Sequence, residues 1–381
     1  MSFLRQRCTA KICRSVLASL LLIDAFQSSV WSQMLTRGPY LQSGSHSSIV
    51  VRWRTDVATD SRVQFGTNVD DLNFVVDQPA GTMEHEVTLR GLWPDTKFFY
   101  SIGNTLSALA GGDTNHFFVT SPPPGTAKNT RVWVIGDAGT LAPAQLAVRD
   151  AYESFSGSRP ADLWLMLGDN AYYLGTDLEY QVKVFEVYTN LLRHSVVWPT
   201  LGNHETYSVE ASGNHAYFDI FTLPTDGIAG GVASGTEHYY SFNYGRIHFI
   251  CLDSMESNRS PQGAMATWLT EDLAHTAAEW IIAFWHHAPY TRGSHNSDLE
   301  VELIEMRQNI VPLLEQGGVD LVLSGHSHSY ERSYLLNGHY GSAATFRTSY
   351  QLNHGDGREL GDGAYHKPRG SPAPHHGAVY A

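Results

Sequence analysis

Apolar and polar positions alternate in short runs over residues 36–120. Ser48-Ile49-Val50-Val51-Arg52-Trp53-Arg54 has the two-residue period of a half-buried strand, with Trp53 turned to a core. Glu86-Val87-Thr88-Leu89 and Lys97-Phe98-Phe99-Tyr100-Ser101-Ile102 are further strands, and Gly, Asn and Asp mark the turns between them. Several short strands with regular turn signals predict a small all-β sandwich. Pro122-Pro123-Pro124-Gly125 then reads as a stiff linker. From Arg131 the pattern changes to continuous apolar runs: Val132 to Ile135, Leu163 to Leu167, Ile281 to Trp285 and Leu321 to Leu323. Helical periods lie between them at 142–155, 178–193, 262–276 and 300–316. Strands that alternate with helices predict a layered α/β domain. Residues 337–376 are rich in Gly, His and Asp without a period and read as long surface loops.

The amino terminus has a different character. Arg5, Arg7, Lys11 and Arg14 precede the short apolar run Val16 to Ile23, and small residues near Ser32 offer a cleavage point. This is the layout of a secretory signal, too short for a stable membrane span, so residues 1–32 are expected to be removed on export to the periplasm or the outside of the cell. The organisation expected is therefore a signal at 1–32, a β domain at 33–121, a linker at 122–130 and a catalytic α/β domain at 131–381.

Composition narrows the chemistry. The 381 residues are 42% hydrophobic and 17% charged, enough apolar material for two sizeable cores. Loss of 1–32 removes four positive charges and one negative charge, which moves the formal net charge from −13 to −16. Such an acidic chain lacks the basic footprint of a nucleic-acid binder. Two of the three cysteines leave with the signal. Cys251, in the run Ile247 to Leu252, is expected to be a buried strand residue, and no disulfide scaffold or Cys-rich zinc fold is available. Against this stand 19 histidines, so metal ligands, if present, are His, Asp, Glu, Asn or Tyr.

Polar clusters follow the apolar runs: Gly136-Asp137-Ala138-Gly139, Gly168-Asp169-Asn170-Ala171-Tyr172, Gly202-Asn203-His204-Glu205, His286-His287-Ala288-Pro289 and Gly325-His326-Ser327-His328. In open α/β sheets ligands bind beyond the carboxyl ends of the strands, so five such clusters would meet in one crevice. Each alone is a weak signal; the ordered set is a strong one. Two metal ions about 3.5–4 Å apart need several oxygen and nitrogen ligands and a bridging carboxylate. Neutral imidazole and amide groups fill such a site without overloading it with charge.

At these residues the chain resembles the calcineurin-like metallophosphoesterases, and among them the purple acid phosphatases. The family pattern DxG, GDxxY, GNH(E/D), strand-then-His and GHxH stands here as Asp137 to Gly139, Gly168 to Tyr172, Gly202 to Glu205, Ala283 to His286 and Gly325 to His328. Ser329-Tyr330-Glu331-Arg332 and the entry Arg37-Gly38-Pro39-Tyr40-Leu41-Gln42 resemble the same family. Leu92-Trp93-Pro94-Asp95-Thr96 before the Tyr100 strand resembles the corner of fibronectin type III modules. The implied fold is a four-layer α/β/β/α sandwich preceded by a fibronectin type III-like domain. Tyr172, where Ser/Thr protein phosphatases resemble GDxVDRG instead, implies a phenolate ligand to Fe(III), with Tyr173 a packing neighbour.

Carried over residue by residue, the resemblance implies that Asp137, Tyr172 and His328 hold the first metal and that Asn203, His286 and His326 hold the second. Asp169 bridges them. His286 is preferred to His287 because it directly follows the strand and lies four residues before Tyr290. His204 and His295, with Asn203, face the substrate phosphate, the two histidines as proton donors to the leaving group; Glu205 lies behind the ligands. The implied metals are Fe(III) and a divalent ion, Fe, Zn or Mn. The implied reaction is hydrolysis of a phosphate monoester by a hydroxide on the metals. Phosphodiesterase or nucleotidase activity at the same site, and an adhesive module without catalysis, are the alternatives. Asn258-Arg259-Ser260 is a glycosylation sequon, and His354, His366, His375 and His376 read as loop. The final Gly377 to Ala381 reads as a strand just starting, which leads us to expect a carboxyl-terminal truncation.

Overall fold

The computed structural model describes residues 33–355, 358, 360–361, 363–367 and 373–381; the expected signal at 1–32, with Cys8 and Cys13, lies outside the described residues. A β-rich amino-terminal part holds β1 (Leu35–Gln42), β2 (Ser48–Gly66), β3 (Phe74–Arg90), β4 (Lys97–Gly103), β5 (Ala108–Gly111) and β6 (Phe117–Val119). A mixed α/β body follows with β7 (Val132–Ile135), β8 (Leu163–Met166) and β9 (Val196–Pro199). Then come β10 (Tyr240–Tyr244), β11 (Ile247–Cys251), β12 (Trp280–His287) and β13 (Leu321–Gly325). Short strands β14 (Leu335–Leu336), β15 (Gln351–Asn353) and β16 (Val379–Tyr380) end the chain, and β16 pairs in parallel with β13.

The strands found from the apolar runs extend further than their hydrophobic pattern. β2 and β3 form one long hairpin, paired from Phe65↔Phe74 to Ser48↔Arg90. Beyond Phe74-Val75-Val76 the stretch from Asp77 to Glu84 holds no buried residue, so this arm of β3 has no apolar face to reveal it in the sequence. The helical periods become helices at Pro143–Ser156, Asp177–Phe185, Ala264–His275 and Val301–Gly317. The second and fourth contain π-turns at Gln181–Phe185 and Met306–Ile310. The latter precedes Pro312, whose missing N–H breaks the regular ladder.

Strands β7, β8 and β9 are parallel neighbours, and so are β11, β12 and β13, with helices in the crossovers. The two sheets meet through aromatic rings. Trp198 of β9 stacks on Phe242 of β10 at 3.7 Å, and Phe242 on Phe249 of β11 at 4.8 Å. Helix Pro143–Ser156 covers the outer face of the first sheet, where its Tyr152 stacks on Trp133 at 4.3 Å. Helices Ala264–His275 and Val311–Gly317 bury Leu269, Leu273 and Leu314 beside β12 and β13. Within each sheet the three strands run the same way, and the loops after β7 and β13 meet, His326 N donating to Asp137 Oδ2 at 2.9 Å.

The amino-terminal part is not a detached bead. β1 pairs in parallel with β9 at Leu41↔Val196, which makes one nine-stranded sheet. Gln42 clamps the junction: its Nε2 donates to Val197 O at 3.0 Å and its Oε1 accepts from Thr222 N at 3.0 Å. Buried Arg37 and half-buried Arg54 both donate to Asp177, at 2.9 and 2.6 Å. Tyr100 reaches across to Arg193 O at 2.7 Å. Cys251 is a free, fully buried strand residue, and Trp53 is fully buried. Among the described residues no helix is long and apolar enough to cross a membrane.

Trp53 stacks face to face on His85 at 4.6 Å, and the two ring nitrogens of His85 meet Thr55 Oγ1 and Ser61 Oγ, each at 2.8 Å. Burial pushes this imidazole down to about 4. A depressed histidine stays neutral in the fold while the unfolded chain takes up a proton near pH 6.5, so stability falls as pH drops between those values. Between pH 7.5 and pH 5 the wild type should lose about 2 kcal/mol more than His85→Gln in urea unfolding. Equal losses in the two proteins would show that His85 is not the group responsible.

Candidate metal centre

The five polar clusters leave the carboxyl ends of β7, β8, β9, β12 and β13 and converge there. The turns are tight. Asp137, Asp169 and His326 adopt left-handed backbone at φ of 54°, 49° and 69°, a conformation that non-glycine residues hold only where their surroundings compel it. Gly202 is required by close approach: a Cβ there would lie 2.4 Å from Asp169 Oδ1 and 2.8 Å from Glu205 Oε2.

Glu205 is fully buried and orders two of these loops. Its carboxylate accepts from the backbone N–H groups of Asp169 (2.9 Å), Asn170 (2.7 Å), Ala171 (3.3 Å) and Gly202 (2.8 Å), and from Tyr180 Oη (3.1 Å). Burial, with the charge of Asp169 adding to it, pushes the Glu205 carboxyl up to about 7. Asp169 is itself tied down, its Oδ1 accepting from His204 N at 2.9 Å. Its Oδ2 is left facing inward.

Around that oxygen two constellations form. On one side Tyr172 Oη lies 3.2 Å from Asp169 Oδ2, 3.2 Å from Asp137 Oδ1 and 2.9 Å from His328 Nε2. The phenol has one hydrogen for three acceptors. Burial, then Asp137 and Asp169, push its pKa far up, so a phenolate here needs a compensating cation. On the other side His286 Nε2 lies 3.5 Å from Asp169 Oδ2, 3.1 Å from Asn203 Oδ1 and 3.2 Å from His326 Nδ1. His286 Nδ1 is 2.8 Å from the Leu167 carbonyl, which can only accept, so it carries the ring hydrogen. His326 Nε2 likewise faces the Glu300 carboxylate at 3.0 Å. Two imidazole lone pairs, an amide oxygen and a carboxylate thus point at one another.

Such convergence calls for a proton or a cation. Burial opposes a charged His286, yet Asp169 and Asp137 outweigh it and lift this histidine to about 9. Burial alone would raise Asp169, and His286 holds it well below the usual carboxylate range. A metal ion would replace that proton on the same lone pair, and its binding releases protons. The donor set of carboxylate, phenol, amide and imidazole suits such ions and contains no thiolate. Three groups among the described residues bring ligand atoms within 4.8 Å of one another: Asp137–Asp169–His286, His286–His287–His326 and His295–Glu300–His326.

All nine residues singled out in the sequence lie in this cluster or on its flanks. His286 rather than His287 directs a nitrogen at Asn203 and Asp169; His287 Nδ1 is 2.9 Å from Ser254 Oγ. His204 flanks the cluster beside Tyr172, with ring centroids 4.3 Å apart and Nδ1 2.7 Å from Tyr173 O. His295 flanks it beside His326, with ring centroids 3.8 Å apart. Tyr173 corrects an expectation: it does not pack in the fold but stands 70% exposed, because its backbone must turn to meet His204. Glu300 was missed. It accepts from His295 Nδ1 at 2.9 Å as well as from His326, yet it belongs to no motif and precedes a short helix like any polar residue.

Comparison with known proteins gives the class. Residues 130–330, more than half of the chain, match the calcineurin-like phosphoesterase family, and residues 37–120 match the purple acid phosphatase N-terminal domain. The chain belongs to the calcineurin-like phosphoesterases. Within them it is similar to the purple acid phosphatases. It is 27% identical to purple acid phosphatase 15 of Arabidopsis thaliana over 76% of this chain and 62% of that protein. It is 28% identical to purple acid phosphatase 1 of Ipomoea batatas over 77% of this chain and 60% of that one. For acid phosphatase type 7 of Homo sapiens the identity is 27%, over 77% and 69%. The chain thus spans about three fifths of the length of the plant proteins. A solved structure of PhoD shares the fold, with a TM-score of 0.58 at 14% identity over 79% of this chain and 73% of that one.

Removal of the Glu205 carboxylate strands four backbone donors and a phenol in a dry interior. Glu205→Ala should cost about 3–5 kcal/mol in urea unfolding. A loss below about 1 kcal/mol would show that the loops hold without it.

Proposed function

We propose that this chain is a metal-dependent phosphoric ester hydrolase of the acid phosphatase type that acts on phosphate monoesters. The convergence of Tyr172, Asp137, His328, His286, Asn203 and His326 around the inward oxygen of Asp169 supports it. Asp137, Tyr172 and His328 would hold a ferric ion, Asn203, His286 and His326 a divalent Fe, Zn or Mn, and Asp169 both. Bound there, the metals would polarise the phosphoryl oxygens and lower the pKa of the attacking water.

The chain's own residues do the rest. Asn203, His204 and His295 receive the phosphate. His204 and His295, one on each flank, are placed to keep a proton for the leaving oxygen. Glu300 orients the His295 ring through Nδ1, which leaves Nε2 for the substrate. Burial of Glu205 and Asp169 excludes water from behind the ligands.

The same reading takes the body, 131–381, as a four-layer α/β/β/α sandwich, and 33–121 as a fibronectin type III-like domain joined by 122–130. It takes the protein as exported to the periplasm or secreted after loss of 1–32.

Elemental analysis and turnover of p-nitrophenyl phosphate test the site together. Asp169→Asn should lose bound metal and at least about a hundredfold in kcat/KM; wild-type metal content and rate in this variant would sink the assignment. With iron bound, Tyr172→Phe should abolish a visible tyrosinate-to-metal band that the wild type shows. Faster hydrolysis of bis(p-nitrophenyl) phosphate than of the monoester would overturn the monoester assignment.

A further inference from the structure

Tyr173 is held firmly and left uncovered. Its backbone N–H donates to the Glu179 carboxylate, and its carbonyl accepts from His204 Nδ1 at 2.7 Å. Its ring nonetheless stands 70% exposed, 6.5 Å from the His204 ring and 6.0 Å from the Tyr172 ring. The Tyr207 ring, 55% exposed, lies 4.9 Å from the same histidine. Ser208 Oγ donates to Leu174 O at 2.7 Å, which ties the two segments together, and Leu174, next in the chain after Tyr173, is itself half exposed. Exposed aromatic rings beside a cluster of polar side chains have the character of a recognition surface.

The occupant follows from what His204 does. A proton donor must reach the leaving oxygen, so the leaving group lies next to that donor. The rings of Tyr172, Tyr207 and Tyr173 surround His204, with centroids 4.3, 4.9 and 6.5 Å away. Lys183 Nζ, 5.6 Å from the Tyr173 ring, already bonds the Tyr172 carbonyl and Glu179, so it offers little to a second anionic group. Tyrosine rings attract flat aromatic partners by offset stacking or edge contact. Resting on the hydrolase reading above, we infer that Tyr173 seats an aromatic leaving group, so that the preferred substrates are phosphate monoesters of aromatic alcohols.

Binding separates this inference from the reading beneath it. With the metal-loaded full chain, calorimetry should find phenylphosphonate bound about tenfold more tightly than methylphosphonate, the change that about 1.4 kcal/mol of ring contact gives. Tyr173→Ser should erase that preference and Tyr173→Phe should keep it. No preference in the wild type, or one that survives Tyr173→Ser, would overturn the seat. A preference carried by Tyr173 without turnover of p-nitrophenyl phosphate would uphold the seat and count against the hydrolytic reading alone.

Discussion

One buried carboxylate organises the region on which everything else rests. Glu205 gathers the N–H groups of the loops after β8 and β9, and so sets Asp169 and Asn203 at their distance from each other. Without those hydrogen bonds, turns as strained as that at Asp169 would relax. The carboxylate is costly to bury, and its five donors offset part of that cost. Its neighbour Asp169 is the hinge of the cluster, because one of its oxygens faces Tyr172 and His286 at once.

Electrostatics explains why the cluster is poised for cations. Each sheet brings its own share: the first supplies Asp137, Asp169 and Asn203, the second His286 and His326. Kept apart, these groups would be ordinary polar turns. Apposed, they place lone pairs and negative charge around the buried side chains of Asp169 and His286, where charge interactions strengthen. A protonated His286 is one resolution and a metal pair is another. The second would also reverse the sign of the local field, which would let an acidic chain receive the anionic substrate proposed for it.

The α/β half was largely legible. Buried parallel strands leave continuous apolar runs, and loops that end them leave Gly, Asp, Asn and His at fixed spacings; both signals are local. The amino-terminal half was half legible: the core residue Trp53 was, the exposed outer arm of β3 was not. Glu300 carries no local signal at all, since its partners His295 and His326 meet it only in the folded chain. Tyr173 was misread because an aromatic residue beside a predicted ligand suggests packing, whereas the turn to His204 swings its ring outward.

By itself, then, the order of residues determined which chain segments become strands and helices, because burial periodicity is written along the chain. It also determined which side chains stand at strand ends with chemistry to offer. Tertiary structure decided the rest: that two sheets stack with their carboxyl ends together, and that β1 joins β9 to weld the amino-terminal part to the body. It also decided that His286 rather than His287 turns a lone pair to Asp169, and that Tyr173 remains uncovered. Each of these depends on groups tens of residues apart coming within a few ångströms, a distance that only packing sets.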